Sequence, residues 1–255
     1  STVSSDFDGG GAMPILEAHE VSVRFGGHMA VDRVDLDVEA GQITGLIGPN
    51  GAGKTTTFNV LTGLQAPTAG RVVLDGADIT KLAAHKRARL GMARTFQRLE
   101  LFGSLSVRDN VLTAAELVRG SDQSPGEITD ELLARVGLTS VAGQRADSLS
   151  TGNARLVELA RALAGQPKLL LLDEPASGLD HQETDRFAEI LTRLAEGGMA
   201  VLLVEHDVPL VMRLCQTITV LNFGLVLATG TAAEIQANPQ VVDAYLGQGA
   251  ELGAS

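Results

Sequence analysis

A glycine-rich run between two apolar segments constrains this chain more than any other feature of its sequence. Residues 48–55 read Gly48-Pro49-Asn50-Gly51-Ala52-Gly53-Lys54-Thr55, which matches the pattern GxxxxGK[ST]. A short apolar run at 43–47 precedes it, and Phe58, Leu61 and Leu64 follow it at helical spacing. The alternative is a glycine-rich turn that only caps a helix. Strand, glycine-rich loop and helix is the context of a phosphate-binding loop, so the run predicts binding of a nucleoside triphosphate.

The residue types in this loop suit a phosphate group. Glycines at 48, 51 and 53 let backbone N–H groups approach the phosphates with no Cβ in the way. The helix that follows aims its amino terminus at the phosphates and adds about half a positive charge. We expect Lys54 to bind the β and γ oxygens and Thr55 to offer its hydroxyl to Mg²⁺. The other residues predicted to line the site are Gly48, Pro49, Asn50, Gly51, Ala52, Gly53 and Thr56.

Two carboxylates follow a run of four leucines at residues 169–172. We expect the first, Asp173, to hold Mg²⁺ and the second, Glu174, to act as the catalytic group that polarises the attacking water. Acidic residues at strand ends often only cap the next helix, which is the alternative. In an α/β chain that also carries a phosphate-binding loop, the functional interpretation is favoured.

The hydrophobic pattern changes twice along the chain. Alternating apolar positions over 15–24 and 33–39 predict strands of a half-exposed antiparallel sheet. Continuous apolar runs at 169–172 and 200–204 predict parallel strands buried on both faces. The other predicted elements are a strand at 71–74, helical character from about 83 to 165 with loops around 103–106 and 120–126, a helix at 182–196, and a hairpin of 217–221 with 225–228. The order predicts an α/β fold with a helical insertion between two parts of the core.

Composition excludes several classes of protein. The chain has 255 residues, and no stretch approaches the ~18 uninterrupted apolar residues of a membrane span. A net charge of −11, with seven Phe, one Tyr and no Trp, argues against a nucleic-acid partner. A basic segment at 85–89 is interpreted as a solvated helix face. Residues 1–12 are polar and glycine-rich, which predicts a disordered extension or a remnant of expression.

Further short motifs accompany the loop in an order typical of one family. The signature segment, residues 149–153, reads Leu149-Ser150-Thr151-Gly152-Asn153, and the D-loop, residues 177–180, reads Ser177-Gly178-Leu179-Asp180. Gln97 ends the run Arg94-Thr95-Phe96-Gln97, and His206 lies in Val204-Glu205-His206-Asp207. With Phe25 near the start, these motifs resemble the nucleotide-binding domain of ATP-binding cassette (ABC) transporters. The resemblance covers about residues 13–248 and leaves 249–255 as a flexible tail.

The resemblance implies an α/β ABC ATPase fold: a P-loop core with a parallel sheet, an antiparallel β subdomain and a helical subdomain over about 98–165. It implies a head-to-tail dimer in which Ser150 and Gly152 touch the γ-phosphate of ATP bound by the opposite subunit. It also implies that Phe25 lies against adenine and that Asp180 communicates across the dimer. In the same way, Gln97 serves Mg²⁺ and catalysis, and His206 contacts the γ-phosphate.

The subfamily resemblance is to the ATPases of branched-chain amino-acid importers. It rests on residues 91–97, 101–107 and 242–247. Importers of urea and amides share this pattern, the ATPase of lipopolysaccharide export is a near relative, and a soluble ABC ATPase or another P-loop enzyme is a further alternative. The implied partners are transmembrane permease subunits, a second ATPase subunit and, indirectly, a solute-binding protein, with the chain on the inner face of the cell membrane. Thr151 and Asn153 depart from the family signature, where Gly and Gln are usual.

Overall fold

The computed structural model describes residues 14–95, 99–118 and 122–246. The predicted extension at 1–12, the predicted tail at 249–255 and Gln97 lie outside these ranges. Within them, no helix combines the length and apolar character needed to cross a bilayer.

In chain order, the strands are β1 (Pro14–Phe25), β2 (His28–Glu39), β3 (Ile43–Ile47), β4 (Ala69–Leu74), β5 (Ala77–Asp78), β6 (Met92–Arg94), β7 (Leu169–Asp173), β8 (Ala200–Val204), β9 (Thr217–Asn222) and β10 (Leu225–Gly230). The helices are α1 (Lys54–Thr62), α2 (Ala84–Arg89), α3 (Val107–Ala115), α4 (Pro125–Arg135), α5 (Thr151–Leu163), α6 (His181–Glu196), α7 (Val208–Leu214), α8 (Ala232–Ala237) and α9 (Pro239–Leu246). Two short 3-10 turns, Thr139–Val141 and Ala146–Ser148, separate α4 from α5.

The first sheet is antiparallel, with strand order β2-β1-β4-β5. The predicted strands at 15–24, 33–39 and 71–74 are confirmed, and β2 starts earlier than predicted, at His28. Alternate residues of β2 are buried, including Val34, Leu36 and Val38, as a sheet with one solvated face requires.

The second sheet has the order β10-β9-β3-β8-β7-β6, and its strands are parallel except for the β9–β10 hairpin. The predicted buried strands at 169–172 and 200–204 and the late hairpin are confirmed. Helical character throughout 83–165 was wrong at 92–94, where β6 pairs with β7. Three residues are too short to show a periodicity of two, so β6 takes its conformation from its neighbour.

Three longer helices, α3, α4 and α5, lie between residues 107 and 163 and pack against one another. The predicted apolar stripe of Ile128, Leu132, Leu133 and Val136 is buried among them. The predicted loop over 120–126 ends sooner, because Ser124 and Glu127 form a reciprocal capping box that starts α4 at Pro125.

The parallel sheet separates two apolar clusters. Alternate residues of β7 belong to different clusters: Leu170 and Leu172 pack on one side, Leu169 and Leu171 on the other. Because β3, β7 and β8 run in the same direction, their carboxyl ends meet at one edge of the sheet. That edge carries the phosphate-loop residues, the two acidic residues after the leucine run, and His206.

Candidate functional site

The phosphate loop leaves β3 and enters α1 through Gly53, whose φ of 102° lies in the left-handed region. A Cβ at Gly53 would lie 2.8 Å from the carbonyl oxygen of Ala30, so the close approach of β2 also requires glycine here. Gly51 has a φ of 79° and open space around its Cα. The phosphate loop is therefore tightly packed against β2 at Gly53 and accessible at Gly51.

The turn between β9 and β10 is hydrogen-bonded both to the phosphate loop and to β2. The N–H of Gly224 donates to the Ala52 carbonyl at 3.0 Å, and the Gly224 carbonyl accepts from the N–H of Asp32 at 2.8 Å. The sequence pattern predicts only a hairpin here and gives no sign of its contact with the loop. A glycine in the turn indicates the positive φ that Gly224 adopts, but it does not indicate which residues the turn contacts.

Lys54 is buried inside the loop. Its Nζ donates to the carbonyls of Gly48 at 2.5 Å and Pro49 at 3.1 Å. Burial lowers the pKa of Lys54, and the carboxylates of Glu174 and Asp173 act against that shift. The lysine head group thus lies within the electrostatic reach of both strand-end acids, where a phosphate group would be bound.

The other predicted loop residues differ in exposure. Asn50 and Thr55 are exposed, Pro49 and Thr56 are half-buried, and Ala52 is buried. Ala52 therefore packs into the protein and offers a phosphate its backbone rather than its side chain. Thr55 lies in the first turn of α1, where its hydroxyl is open to a ligand.

Asp173 and Glu174 lie at the carboxyl end of β7. Burial raises the pKa of Asp173, and Glu174 raises it further, while Lys54 and Arg94 oppose the shift. Glu174 has a φ of 47°, unusual for a residue with a side chain, while its N–H still donates to Val204 at 2.8 Å. Such backbone conformations concentrate at functional sites, where neighbouring structure holds them in place.

The oxygen donors available here fit a magnesium ion. Mg²⁺ in nucleotide sites takes one or two protein carboxylates or hydroxyls together with phosphate oxygens and water. Thr55 and Asp173 supply one hydroxyl and one carboxylate, and the described ranges contain no group of three or more His, Cys, Asp or Glu side chains that could hold a metal alone. An ion at this edge would therefore depend on the phosphates, and Gln97, the third predicted ligand, is outside the described residues.

His206 follows β8 and faces Glu174. Its Nδ1 lies 3.9 Å from Glu174 Oε1 and 3.7 Å from Glu205 Oε2, and its side chain is 61% exposed. The exposed ring can reach a ligand, and the two carboxylates lie near its Nδ1 side. The structure thus brings together Lys54, Asp173, Glu174 and His206.

Glu205 is a residue of this site that the sequence pattern does not indicate. Its side chain is fully buried, and its two oxygens accept from the backbone N–H of Ala176 at 2.8 Å and of His206 at 3.1 Å. It therefore ties the turn after Glu174 to the turn that carries His206. A glutamate after a buried strand gives no signal of its own burial, because exposure at a strand end depends on the neighbouring turns.

We expect Glu205 to make the stability of the chain depend on pH. Burial raises its pKa above the ordinary 4.5, so the folded chain binds this proton more tightly than the unfolded chain. That stabilisation is complete below pH 4.5 and is lost as the pH rises through the folded-state pKa. The melting temperature of the wild type minus that of Glu205→Gln should therefore fall by a few degrees from pH 4.5 to neutral pH.

Thermal unfolding at both pH values measures this difference. Glu189→Gln, on the exposed face of α6, serves as the control and should show no such trend. A difference that stays constant or grows with pH contradicts the assignment of a raised pKa to Glu205.

Phe25 ends β1 and pairs across the turn with His28. Its side chain is 51% exposed, which is unusual for a phenylalanine and leaves a ring face free for stacking. Its predicted contact with adenine stays a prediction.

The signature segment and the D-loop are hydrogen-bonded at the amino-terminal ends of α5 and α6. Ser150 caps α5 by accepting from Asn153, and Asp180 caps α6 by accepting from Glu183. In the described part of the chain, the hydrogen bonds of Ser150, Gly152 and Asp180 go to α5 and α6 and none reaches residues 48–55. Their predicted roles toward ATP would need a loop from another subunit.

Family models match two regions of the chain. The model "ABC transporter" matches residues 31–177, and "Branched-chain amino acid ATP-binding cassette transporter" matches residues 226–251. The high-affinity branched-chain amino acid transport ATP-binding protein BraF of Pseudomonas aeruginosa is 42% identical over 251 residues, covering 92% of this chain and 98% of that protein. The lipopolysaccharide export system ATP-binding protein LptB of Haemophilus influenzae is 36% identical over 237 residues, covering 92% and 98%.

Solved structures match the whole fold. An ATP-binding cassette of an ABC transporter in its ADP conformation superposes with a TM-score of 0.85 at 29% identity, covering 93% of this chain and 100% of that chain. A dimeric ATP-binding cassette in a post-hydrolysis state, bound to ADP and Pi, gives 0.74 at 26%, covering 85% and 98%. Since the first family model spans more than half of the chain and the relatives are covered almost end to end, this chain belongs to the ABC transporter ATP-binding family and is an ATPase of that family.

Proposed function

We propose that this chain is the ATPase subunit of an importer of branched-chain amino acids, and that ATP-driven pairing of two ATPase subunits drives transport. The observation that carries the enzymatic part is the meeting of Lys54, Asp173, Glu174 and His206 at one edge of the parallel sheet. A cation, two carboxylates and an imidazole around a phosphate-binding loop are the groups that phosphoryl transfer to water requires.

Each residue has a separate role in the proposed reaction. Lys54 stabilises negative charge on the β and γ oxygens, and Glu174 accepts the proton of the attacking water or orients it. His206 contacts the γ-phosphate with its exposed face. Mg²⁺, when bound, neutralises charge on the phosphates, and Thr55, Asp173 and Gln97 would hold it.

The second half of the nucleotide site comes from another subunit. Ser150 and Asp180 bond within their own helices, and Gly152 bonds to Glu183 of α6. Within the described ranges none of the three has a hydrogen bond to the phosphate loop of the same chain. A related cassette that is dimeric with ADP and Pi bound supports this arrangement. In this proposal ATP closes the dimer, and loss of the γ-phosphate contacts on hydrolysis opens it.

The solute is proposed to be a branched-chain amino acid. Support comes from the 42% identity to BraF and from the family match at residues 226–251, which lies beyond the shared ATPase motifs. Specificity itself belongs to the permease and to a solute-binding protein. The chain is proposed to lie on the inner face of the cell membrane against the permease subunits.

Residues 98–106, the loop after Gln97, are the proposed contact with the permease. Leu99 and Phe102 expose 40% and 50% of their surface, although both are large apolar side chains. Arg161 lies over the ring of Phe102, 5.1 Å from its centroid, and fixes the direction of the loop on α5. A partner that covers these two side chains would couple movement of the helical subdomain to the membrane subunits.

Solute uptake in the source organism tests the proposal. Cells whose only copy carries Glu174→Gln should lose uptake of labelled leucine, isoleucine and valine down to the background of other carriers. Labelled urea should enter at its normal rate. Normal leucine uptake with a loss of lipopolysaccharide from the cell surface would instead favour the export role suggested by the 36% identity to LptB.

A further inference from the structure

The carboxylate of Glu183 joins the amino-terminal turns of two helices. Its Oε1 accepts from the N–H of Gly152 in the signature segment at 3.2 Å, and its Oε2 accepts from the N–H of Asp180 at 3.4 Å. The N–H of Glu183 donates back to Asp180 Oδ1 at 2.8 Å. One side chain thus connects the signature segment on α5 to the D-loop ahead of α6.

Packing shows why glycine occupies position 152. A Cβ built there would lie 2.4 Å from the carboxyl carbon of Glu183, closer than non-bonded atoms can approach. Gly152 is not among the glycines with positive φ, so its backbone alone does not require glycine. The space that a side chain would need is filled by Glu183.

The two unusual signature residues, Thr151 and Asn153, lie near the D-loop and α6 respectively. A Cβ at Gly178 would meet the methyl group of Thr151 at 3.5 Å, which is ordinary contact. Asn153 Oδ1 accepts from Arg186 Nη1 at 3.3 Å, and Arg186 also donates to the Gly137 carbonyl at 2.6 Å. Asn153 therefore bonds the signature segment to α6 of the same subunit, and Thr151 lies close to Gly178 of the D-loop.

We propose that Glu183 is a positioning residue that clamps the signature segment to the D-loop and competes with the γ-phosphate for the N–H of Gly152. The competition rests on the proposed function, which assigns that N–H to ATP bound by the opposite subunit. The amino terminus of α5 carries partial positive charge and favours an anion, and carboxylate and phosphate cannot both occupy it. Closure of the dimer on ATP therefore displaces the Glu183 carboxylate from Gly152.

A double-mutant cycle tests the clamp without ATP. Gly152→Ala should lower the melting temperature of the wild type by about 2–4 °C, because the new methyl group moves the Glu183 side chain out of its hydrogen bonds to Gly152 and Asp180. In the Glu183→Ala background the same change should have no cost or raise the melting temperature, since alanine favours helix. Equal effects in both backgrounds would overturn the contact.

ATP-driven pairing tests the competition. In the Glu174→Gln background, Glu183→Gln should lower the ATP concentration for half-maximal pairing about two- to fivefold, because the charge competing at the helix terminus is gone. Glutamine is accepted in a capping box, so its carbonyl oxygen can keep the bond from Asp180, while its NH2 group cannot accept from the N–H of Gly152. Sedimentation of the purified ATPase subunits at a series of ATP concentrations measures the shift, and Glu189→Gln is the control with the same change of charge on exposed α6 surface.

The outcomes separate this inference from the proposed function. Unchanged or weakened pairing in Glu183→Gln overturns the competition and leaves ATP-driven pairing standing. If the Glu174→Gln chain fails to pair at any ATP concentration, the proposed function fails and the competition fails with it. The melting cycle then still decides whether Glu183 clamps the signature segment.

Discussion

Replacing Glu174 with Gln should lower the ATPase rate about 10²–10⁴-fold, the usual contribution of a general base. Glutamine keeps the size of the side chain but cannot take a proton from water. The backbone that aims residue 174 at the site is held independently of the carboxylate, through the N–H bond to Val204 at 2.8 Å. The variant should therefore retain the local structure and lose only the chemical step.

ATP binding should survive this change. The hydrogen bonds from Lys54 to the Gly48 carbonyl and from Gly224 to the Ala52 carbonyl end on backbone oxygens, so the loop keeps them in the variant. Without turnover, ATP-bound pairs should accumulate and be visible by sedimentation. A lower kcat with little change in KM is the kinetic signature of an interaction made only in the transition state.

Glu189→Gln on the exposed face of α6 provides the matched control and should keep the wild-type rate. The assays are steady-state ATP hydrolysis at saturating Mg²⁺ and nucleotide binding to the purified chain. Wild-type turnover in Glu174→Gln would remove this residue from the role of base. His206, at 3.9 Å from the same carboxylate, would then be the next group to examine.

The parts of the site that could be predicted from the sequence are those whose functional residues are adjacent in the chain. The phosphate loop between β3 and α1 and the two acids at the carboxyl end of β7 each combine a buried strand with a specific turn. The buried strands could be recognised because short, continuous apolar runs suit strands covered on both faces of a parallel sheet. In such segments the local pattern and the tertiary fold require the same residues.

What the sequence could not predict depends on which distant elements meet. Glu205 and Glu183 look like ordinary surface acids, and only the packed turns make one a buried bridge and the other a clamp. The interpretation of 85–89 as a solvated helix face was wrong at Arg87, which is 1% exposed. No local periodicity indicates that a residue in a short basic helix reaches the end of another helix.

Replacing Arg87 with Ala should lower the free energy of unfolding by about 3–5 kcal/mol, because several carbonyls, two of them buried, lose a charged donor. The guanidinium donates to four carbonyls, those of Leu82 at 2.9 Å, Val60 at 2.8 Å, Leu61 at 2.7 Å and Thr80 at 3.1 Å. Burial lowers the pKa of Arg87. The four hydrogen bonds offset the free-energy cost of burying the charged guanidinium. Alanine would leave the four carbonyls without that donor.

The position of these carbonyls connects the loss to the nucleotide site. Val60 and Leu61 lie in the last turn of α1, where unsatisfied carbonyls and the helix dipole favour a cation. The first residue of α1 is Lys54, so Arg87 anchors the far end of the helix that carries the phosphate loop. Without this anchor, the phosphate loop should bind ATP more weakly, and the chain should unfold more easily.

Two further variants in α2 distinguish loss of the hydrogen bonds to α1 from loss of positive charge. Arg87→Lys keeps the charge but not the planar fork, so it should recover only part of the lost stability. Arg89→Ala, exposed on the same short helix, should change the free energy of unfolding by less than about 0.5 kcal/mol. Urea unfolding of the three variants and the wild type measures the differences. A loss at Arg89 equal to that at Arg87 would mean that net positive charge in α2, and not the bonds to α1, stabilises this part of the fold.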